Sequence, residues 1–296
     1  MKNEDLADLV AEAARPSGKK AKDDLYRRLE LGSGLPGPRA NMNLALEFAQ
    51  ACAGLGAVGD SIAYTLANDP PDERRGASSR EFLAMCGVLA VAAGAQYAKD
   101  DAMRTKAITL LEQRADDVRF RVRDAVPLAL SMVGTKMKAD LAPPLQAWMD
   151  RYFHAAAVLR ALAEPAWLET FAASEHEAPL ALLDAAFVLA HDAPRSAVRY
   201  PGHKALVDAL ALAPKALLKR FGMPMFDLLS KWSTSVQIPD LRDAILANLE
   251  DSSMKKSFAN EIRKVKALVE GSKTPPRDPS RIVQGMRSRG KKRDKR

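Results

Sequence analysis

Alanine and leucine set the terms on which this chain can fold. Its 296 residues include 52 Ala and 36 Leu, against only 29 β-branched residues (16 Val, 6 Ile and 7 Thr). Alanine and leucine lose little or no side-chain freedom in a helix, whereas strands favour the branched side chains that are scarce here. The chain is therefore expected to be all-α. Its only β-prone fragment, Ser233 to Ile238, is too short to found a sheet. With 47% hydrophobic and 28% charged residues the sequence is ordinary globular material, long enough to bury a sizeable core. No apolar run approaches the roughly 20 residues that span a bilayer, and the first turns are polar and acidic, so neither membrane insertion nor a secretory signal is expected. Cys52 and Cys86 sit among small apolar residues and form no paired framework, which fits a reducing cytoplasm.

The net charge of +8 invites a nucleic-acid reading until it is divided along the chain. Residues 271–296 hold ten Lys/Arg and two Asp, whereas residues 1–270 hold 35 Lys/Arg and 35 Asp/Glu. The whole excess belongs to the tail. That tail also contains Pro275, Pro276 and Pro279 and almost no large apolar residues, so it is expected to be disordered when free. Its densest cluster is Arg287, Arg289, Lys291, Lys292, Arg293, Lys295 and Arg296, with no aromatic residue on which a base could stack. Contact with RNA or DNA through this cluster would then be a nonspecific phosphate interaction.

Helical patterning runs with few breaks from Asp5 to Val269. The first two helices are expected at Asp5–Ala14 and Lys22–Leu31. The turn-rich Leu35-Pro36-Gly37-Pro38-Arg39-Ala40-Asn41 follows, a segment with no legible chemistry. Gly54, Gly56 and Gly59 mark a helix end and turn, and Asn68 to Ala77 reads as an exposed loop. Ser78 and Glu81 have the spacing of a capping box opening the next helix. Pro165, Pro214, Pro224 and Pro239 each stand at a helix start, where the missing N–H would be unpaired anyway. The clearest pattern lies between Lys106 and Gly134. Ile108, Leu110 and Leu111 precede Asp116-Asp117, and then Val118, Val122, Ala125, Val126, Ala129, Leu130 and Val133 trace one helical face. Similar helix endings recur at Ala157–Leu162 and Ala185–Ala190.

Leu110-Leu111, the Asp116-Asp117 turn, Val122-Arg123 with Ala125, then Ala129-Leu130 and Gly134 resemble a HEAT repeat over about 30 residues, with a looser likeness over Ala139–Ala213. Pro127 departs from the usual pattern and should kink its helix. The resemblance implies a right-handed α-solenoid of HEAT-like helix pairs over residues 1–270, with the basic tail of residues 271–296 appended. It also implies that Arg123 pairs with the turn carboxylates, Asp116 or Asp117. Such scaffolds mostly bind proteins or nucleic acids. One HEAT-like group, the alkylpurine DNA glycosylases, is enzymatic.

A search for chemistry adds little. The four histidines (His154, His176, His191 and His203) show no metal-ligand spacing. His176 and His191 bracket one helix, about 22 Å apart, and read as solvated helix ends. There is no CxxC pair, no G-x-S-x-G elbow and no phosphate loop, so no metal and no cofactor are expected. A glycosylase would need aromatic and basic residues and a carboxylate converging on a positive groove, for which the candidates are Asp184, Trp148 with Asp150, Trp167, Trp232, Arg195 and Arg199. Trp148 and Asp150 lie about 200° apart around a helix and do not face together. Asp184 reads first as a surface or helix-bridging carboxylate, and the tryptophans as packing residues. The expected function is thus a non-enzymatic cytoplasmic scaffold or adaptor for an unknown protein partner, with nonspecific nucleic-acid contact through the tail. The alternative is a HEAT-like DNA-binding protein or alkylpurine DNA glycosylase.

Overall fold

The computed structural model describes residues 5–15, 17–71, 78–235 and 238–272. Among these residues no strand occurs, and the chain is a succession of helices and turns. The amino-terminal helices are α1 (Leu6–Ala13), α2 (Lys19–Gly32), α3 (Met42–Gly54), α4 (Ala57–Ala67), α5 (Glu81–Tyr97), α6 (Asp101–Ala115) and α7 (Phe120–Met137). There follow α8 (Ala142–Leu145), α9 (Tyr152–Leu162), α10 (Pro165–Leu168), α11 (Glu177–His191) and α12 (Pro201–Leu210). The chain closes with α13 (Ala213–Phe221), α14 (Met223–Ser235), α15 (Pro239–Asn248), α16 (Ser252–Ser257) and α17 (Ala259–Gly271). No helix of the described residues is long and apolar enough to cross a membrane. The basic cluster from Arg287 to Arg296 lies outside the described residues.

Packing follows a ladder. Helix α5 lies on α3 and α4 and then on α7; α7 lies on α9, α9 on α12, and α12 on α15. The intervening helices form a second layer: α6 covers α7 and α9, α11 covers α9 and α12, and α13 covers α14 and α15. Each helix therefore meets near neighbours in sequence, as short helices must when none can bury its own apolar face. The seam between the layers is one continuous core that includes Phe48, Phe82, Leu130, Trp148, Trp167, Phe187 and Leu217. Helix α5 is the exception to amphipathic patterning, because every residue from Phe82 to Ala95 is buried. Its Gly87 permits this, since a Cβ there would stand 2.1 Å from the backbone nitrogen of Ala67 on α4.

Several local expectations are met. Proline occupies the first turn of α10, α13 and α15, and Val122, Ala125, Val126, Ala129, Leu130 and Val133 are all buried on one face of α7. Others are corrected. Val118 is 78% exposed, because α7 begins only at Phe120 and the preceding residues form the turn. Pro127 lies inside α7, which continues past it to Met137. The capping box does not form: the Ser78 hydroxyl accepts from the Arg80 N–H at 3.2 Å, and Glu81 Oε2 is buried without a partner. Gly56 makes the turn at φ +56°, while Gly59 lies inside α4, where a Cβ would collide with the Cys52 carbonyl.

The Leu35–Asn41 segment is structural in part. The Asn41 side chain accepts from the Leu44 N–H at 3.2 Å, capping α3, and donates to the Gly32 carbonyl at 3.0 Å, which ties α3 to the end of α2. Arg121 of α7 donates to the Gly37 carbonyl at 2.9 Å. The segment is thereby fixed beside the first rungs of the ladder.

Candidate functional site

One face of the ladder is a groove built on a repeated register. Helix α7 presents Phe120, Arg123, Asp124 and Pro127; α9 presents Phe153, Ala156, Ala157 and Arg160. Helix α12 and the turn after it present Ala205, Asp208, Ala209 and Leu212. Helix α15 presents Asp240, Asp243, Ala244 and Ala247. Every rung thus uses offsets 0, 3, 4 and 7, which lie on one side of a helix. The alanines keep the floor low, so the larger side chains stand as its walls.

Three hollows follow one another along this face. The first, about 390 Å³, lies between the Pro38–Met42 strap, α5 and α7. The second, about 340 Å³, lies across α7, α9 and α12, and shares Phe120 and Asp124 with the first. The third, about 480 Å³, lies between α12 and α15 and shares Asp208 with the second. Phe120 is 52% and Leu212 53% exposed, so both walls present apolar surface to a ligand.

Adjacent rungs are stitched by charged and aromatic groups. Arg160 of α9 meets Asp124 of α7 at 2.6 Å, and the Arg123 guanidinium lies 4.4 Å from the centre of the Phe153 ring. Arg123 does not take the turn carboxylates; it donates to the Asp117 backbone carbonyl. Asp117 is held by Arg119, through its backbone N–H at 2.9 Å and its side chain at 2.8 and 2.9 Å, and by Arg114 at 3.3 Å. Burial pushes the Asp117 carboxyl up, but the hydrogen bonds and charge of Arg119, with Arg114 behind them, hold it below its ordinary value. Arg119 also donates to the Asp69 carbonyl at 2.9 Å, so the α6–α7 turn is locked to the end of α4.

The glycosylase candidates are not brought together in this groove. Trp148 and Trp167 are 1% and 0% exposed; Trp148 packs edge-on to His154 and Trp167 donates its indole N–H to the Lys138 carbonyl at 3.0 Å. Asp184 bridges helices: both its oxygens accept from Lys231 at 2.8 Å, and Oδ1 accepts from the Trp232 indole at 2.7 Å. It borders a separate hollow with Asp150 and Asp192, into which neither Trp148 nor Trp167 projects.

His176 and His191 are not solvated helix ends. Each is half-buried, His176 against Phe221 and His191 against Trp232, with ring centres 6.4 and 5.8 Å apart. Among the described residues no cluster of His, Cys, Asp and Glu could hold a metal ion. Burial pushes the Cys52 thiol up to about 12 and the Cys86 thiol well above its usual value, so neither is a ready nucleophile near neutral pH.

The groove escapes sequence reading because its stripe has no shared chemistry. Across the four rungs the first position holds Phe120, Phe153, Ala205 and Asp240, and the second holds Arg123, Ala156, Asp208 and Asp243. The available signal is subtractive: on α7, Phe120 and Arg123 are what remains once the core face is removed.

No protein-family model and no curated protein sequence matches this chain. Among solved structures it is similar to a designed armadillo repeat protein at 14% sequence identity, over 90% of this chain and 99% of that one, with a TM-score of 0.36. A likeness that weak carries no argument, and the groove stands on its own geometry.

Proposed function

We propose that this protein is a non-enzymatic binding scaffold that holds a polypeptide segment in the groove across α7, α9, α12 and α15. The repeated four-residue register carries this reading. A low alanine floor, walls of Phe120, Phe153 and Leu212, and charged groups on every rung suit a chain laid across the rungs. Contact with RNA or DNA through the basic cluster from Arg287 to Arg296 is a separate, nonspecific activity of the same scaffold, supported by the charge division of the sequence.

The DNA-enzyme alternative asks for a continuous positive groove with tryptophan and a carboxylate at its centre. Asp208, Asp240 and Asp243 line one end of this groove and no tryptophan borders its three hollows, which favours a polypeptide over a phosphate backbone. Panning a random peptide library against the full chain tests the reading. Recovered peptides should lose binding to the Phe120→Ser/Leu212→Ser variant, both positions being exposed. Peptides indifferent to that variant, or no recovered peptides at all, refute it.

A further inference from the structure

Resting on the reading that the groove holds a polypeptide, we infer that its ligand is an extended segment with sorted charge: carboxylates at the α5–α7 end and Lys or Arg at the α12–α15 end. The first hollow contains an uncompensated cation. Arg121 is 8% exposed, its Nε is buried without a partner, and among the described residues its guanidinium makes one hydrogen bond, from Nη2 to the Gly37 carbonyl. Its guanidinium also lies 4.6 Å from the centre of the Phe120 ring. A buried guanidinium with no carboxylate partner is stabilised by an arriving anion, because the charge has already been removed from water. Arg39, exposed on the strap, lines the same hollow. Asp124 also lines it, but that carboxylate is engaged by Arg160.

The opposite end has the opposite sign. Asp208, Asp240 and Asp243 are exposed around the third hollow, facing one cation, Lys204. Among the described residues none of these three carboxylates is held in an ion pair. A ligand of one sign, such as a nucleic-acid backbone, is attracted at one end of the groove and repelled at the other. From α5 to α15 the ladder has four interaxial steps of roughly 8–10 Å, so the groove is about 32–40 Å long. An extended chain rising about 3.3 Å per residue covers that span with about 10–12 residues. Charge order fixes which end of the segment lies on which rung, whichever way its backbone runs.

The test uses labelled peptides of about twelve residues and identical composition, half Asp and half Lys interspersed with Leu. In one the charges are sorted into two blocks, and in the other they alternate. Fluorescence anisotropy with the full chain at low ionic strength should show the sorted peptide binding at least about tenfold more tightly. The Asp240→Lys/Asp243→Lys variant, altered only at exposed positions, should lose about tenfold for the sorted peptide and gain affinity for a uniformly acidic one. Equal binding of sorted and alternating peptides overturns the inference and leaves the scaffold reading standing. If peptides recovered by panning also fail to bind in the groove, the scaffold reading falls with it. Displacement of the sorted peptide from the groove by a single-stranded oligonucleotide, with loss of that competition in Arg39→Glu, would also overturn the inference.

Discussion

Removing one carboxylate, Asp117→Ala, should destabilise the fold as much as a large core truncation, by about 3–5 kcal/mol. The Asp117 side chain is 3% exposed and that of Arg119 is 5% exposed, so neither charge can be rescued by water without local opening. Without Asp117, Arg119 keeps the Asp69 carbonyl but loses its countercharge, and its backbone N–H loses its acceptor. The orphaned N–H alone costs about 1–3 kcal/mol, and the stranded guanidinium accounts for the remainder. Arg119→Met should cost less, because Arg114 still reaches the carboxylate. The double variant should then be at least about 2 kcal/mol more stable than the two single losses summed, since a pair replaced together strands no charge. Urea denaturation followed by circular dichroism, with m-values compared, measures all three. A loss below about 1 kcal/mol for Asp117→Ala, or strict additivity in the double variant, would refute the reasoning. The pH dependence is a second check. The folded carboxyl lies below its unfolded value of about 3.9, so its contribution is present above that pH and is lost as pH falls through the folded value. The double variant should lack this part of the acid sensitivity.

Gly134→Ala would place a Cβ 2.4 Å from the Trp167 ring, which is fully buried and pinned at its indole N–H, so a loss of about 1–3 kcal/mol with an altered near-ultraviolet spectrum is expected; an unchanged Tm refutes it. The His154 imidazole is held below its usual value first by burial and then by the positive Arg151, against the opposing pull of Asp116 and Glu112. The unfolded chain therefore takes up a proton near pH 6.5 that the native fold resists, so stability should fall as pH drops below about 6.5. His154→Phe should flatten that slope, and denaturation curves at about pH 7.5 and 5.5 with identical differences in both proteins would count against it. A chain ending at Glu270 should lose the oligonucleotide affinity of the full chain, whose log–log salt slope should be about 0.7–0.9 per phosphate neutralised; equal affinity would move the nucleic-acid site onto the helices.

The helical class was legible because it depends on bulk preference. Eighty-eight Ala and Leu against 29 β-branched residues bias nearly every window toward helix, and Pro165, Pro214 and Pro239 mark starts by a backbone property that tertiary context does not change. The core face of α7 was legible because most of its buried positions are apolar, Arg121 and Ser131 apart. Details decided by three-dimensional proximity were not. Arg119 outcompetes Arg123 for Asp117 because its backbone and side chain can both reach the same carboxylate within the turn. Asp184 finds Lys231 and Trp232 across 47 and 48 residues of chain, beyond any local rule. The groove was hidden for a related reason. Its register is regular, but a face is recognised as a groove only after stacking has decided which side each helix turns away from the core.

The total burial of α5 divides the molecule mechanically. A helix enclosed by α3, α4 and α7 from Phe82 to Ala95 cannot expose its amides without dismantling three neighbours. Its amides should therefore exchange with a protection free energy close to that of global unfolding. Helix α15 packs on α12, α13 and α14 but leaves Asp240, Asp243 and Ala247 exposed. The hollow beside the Pro38–Met42 strap is lined by Met85 of the enclosed α5, so one wall of it is held by the core itself.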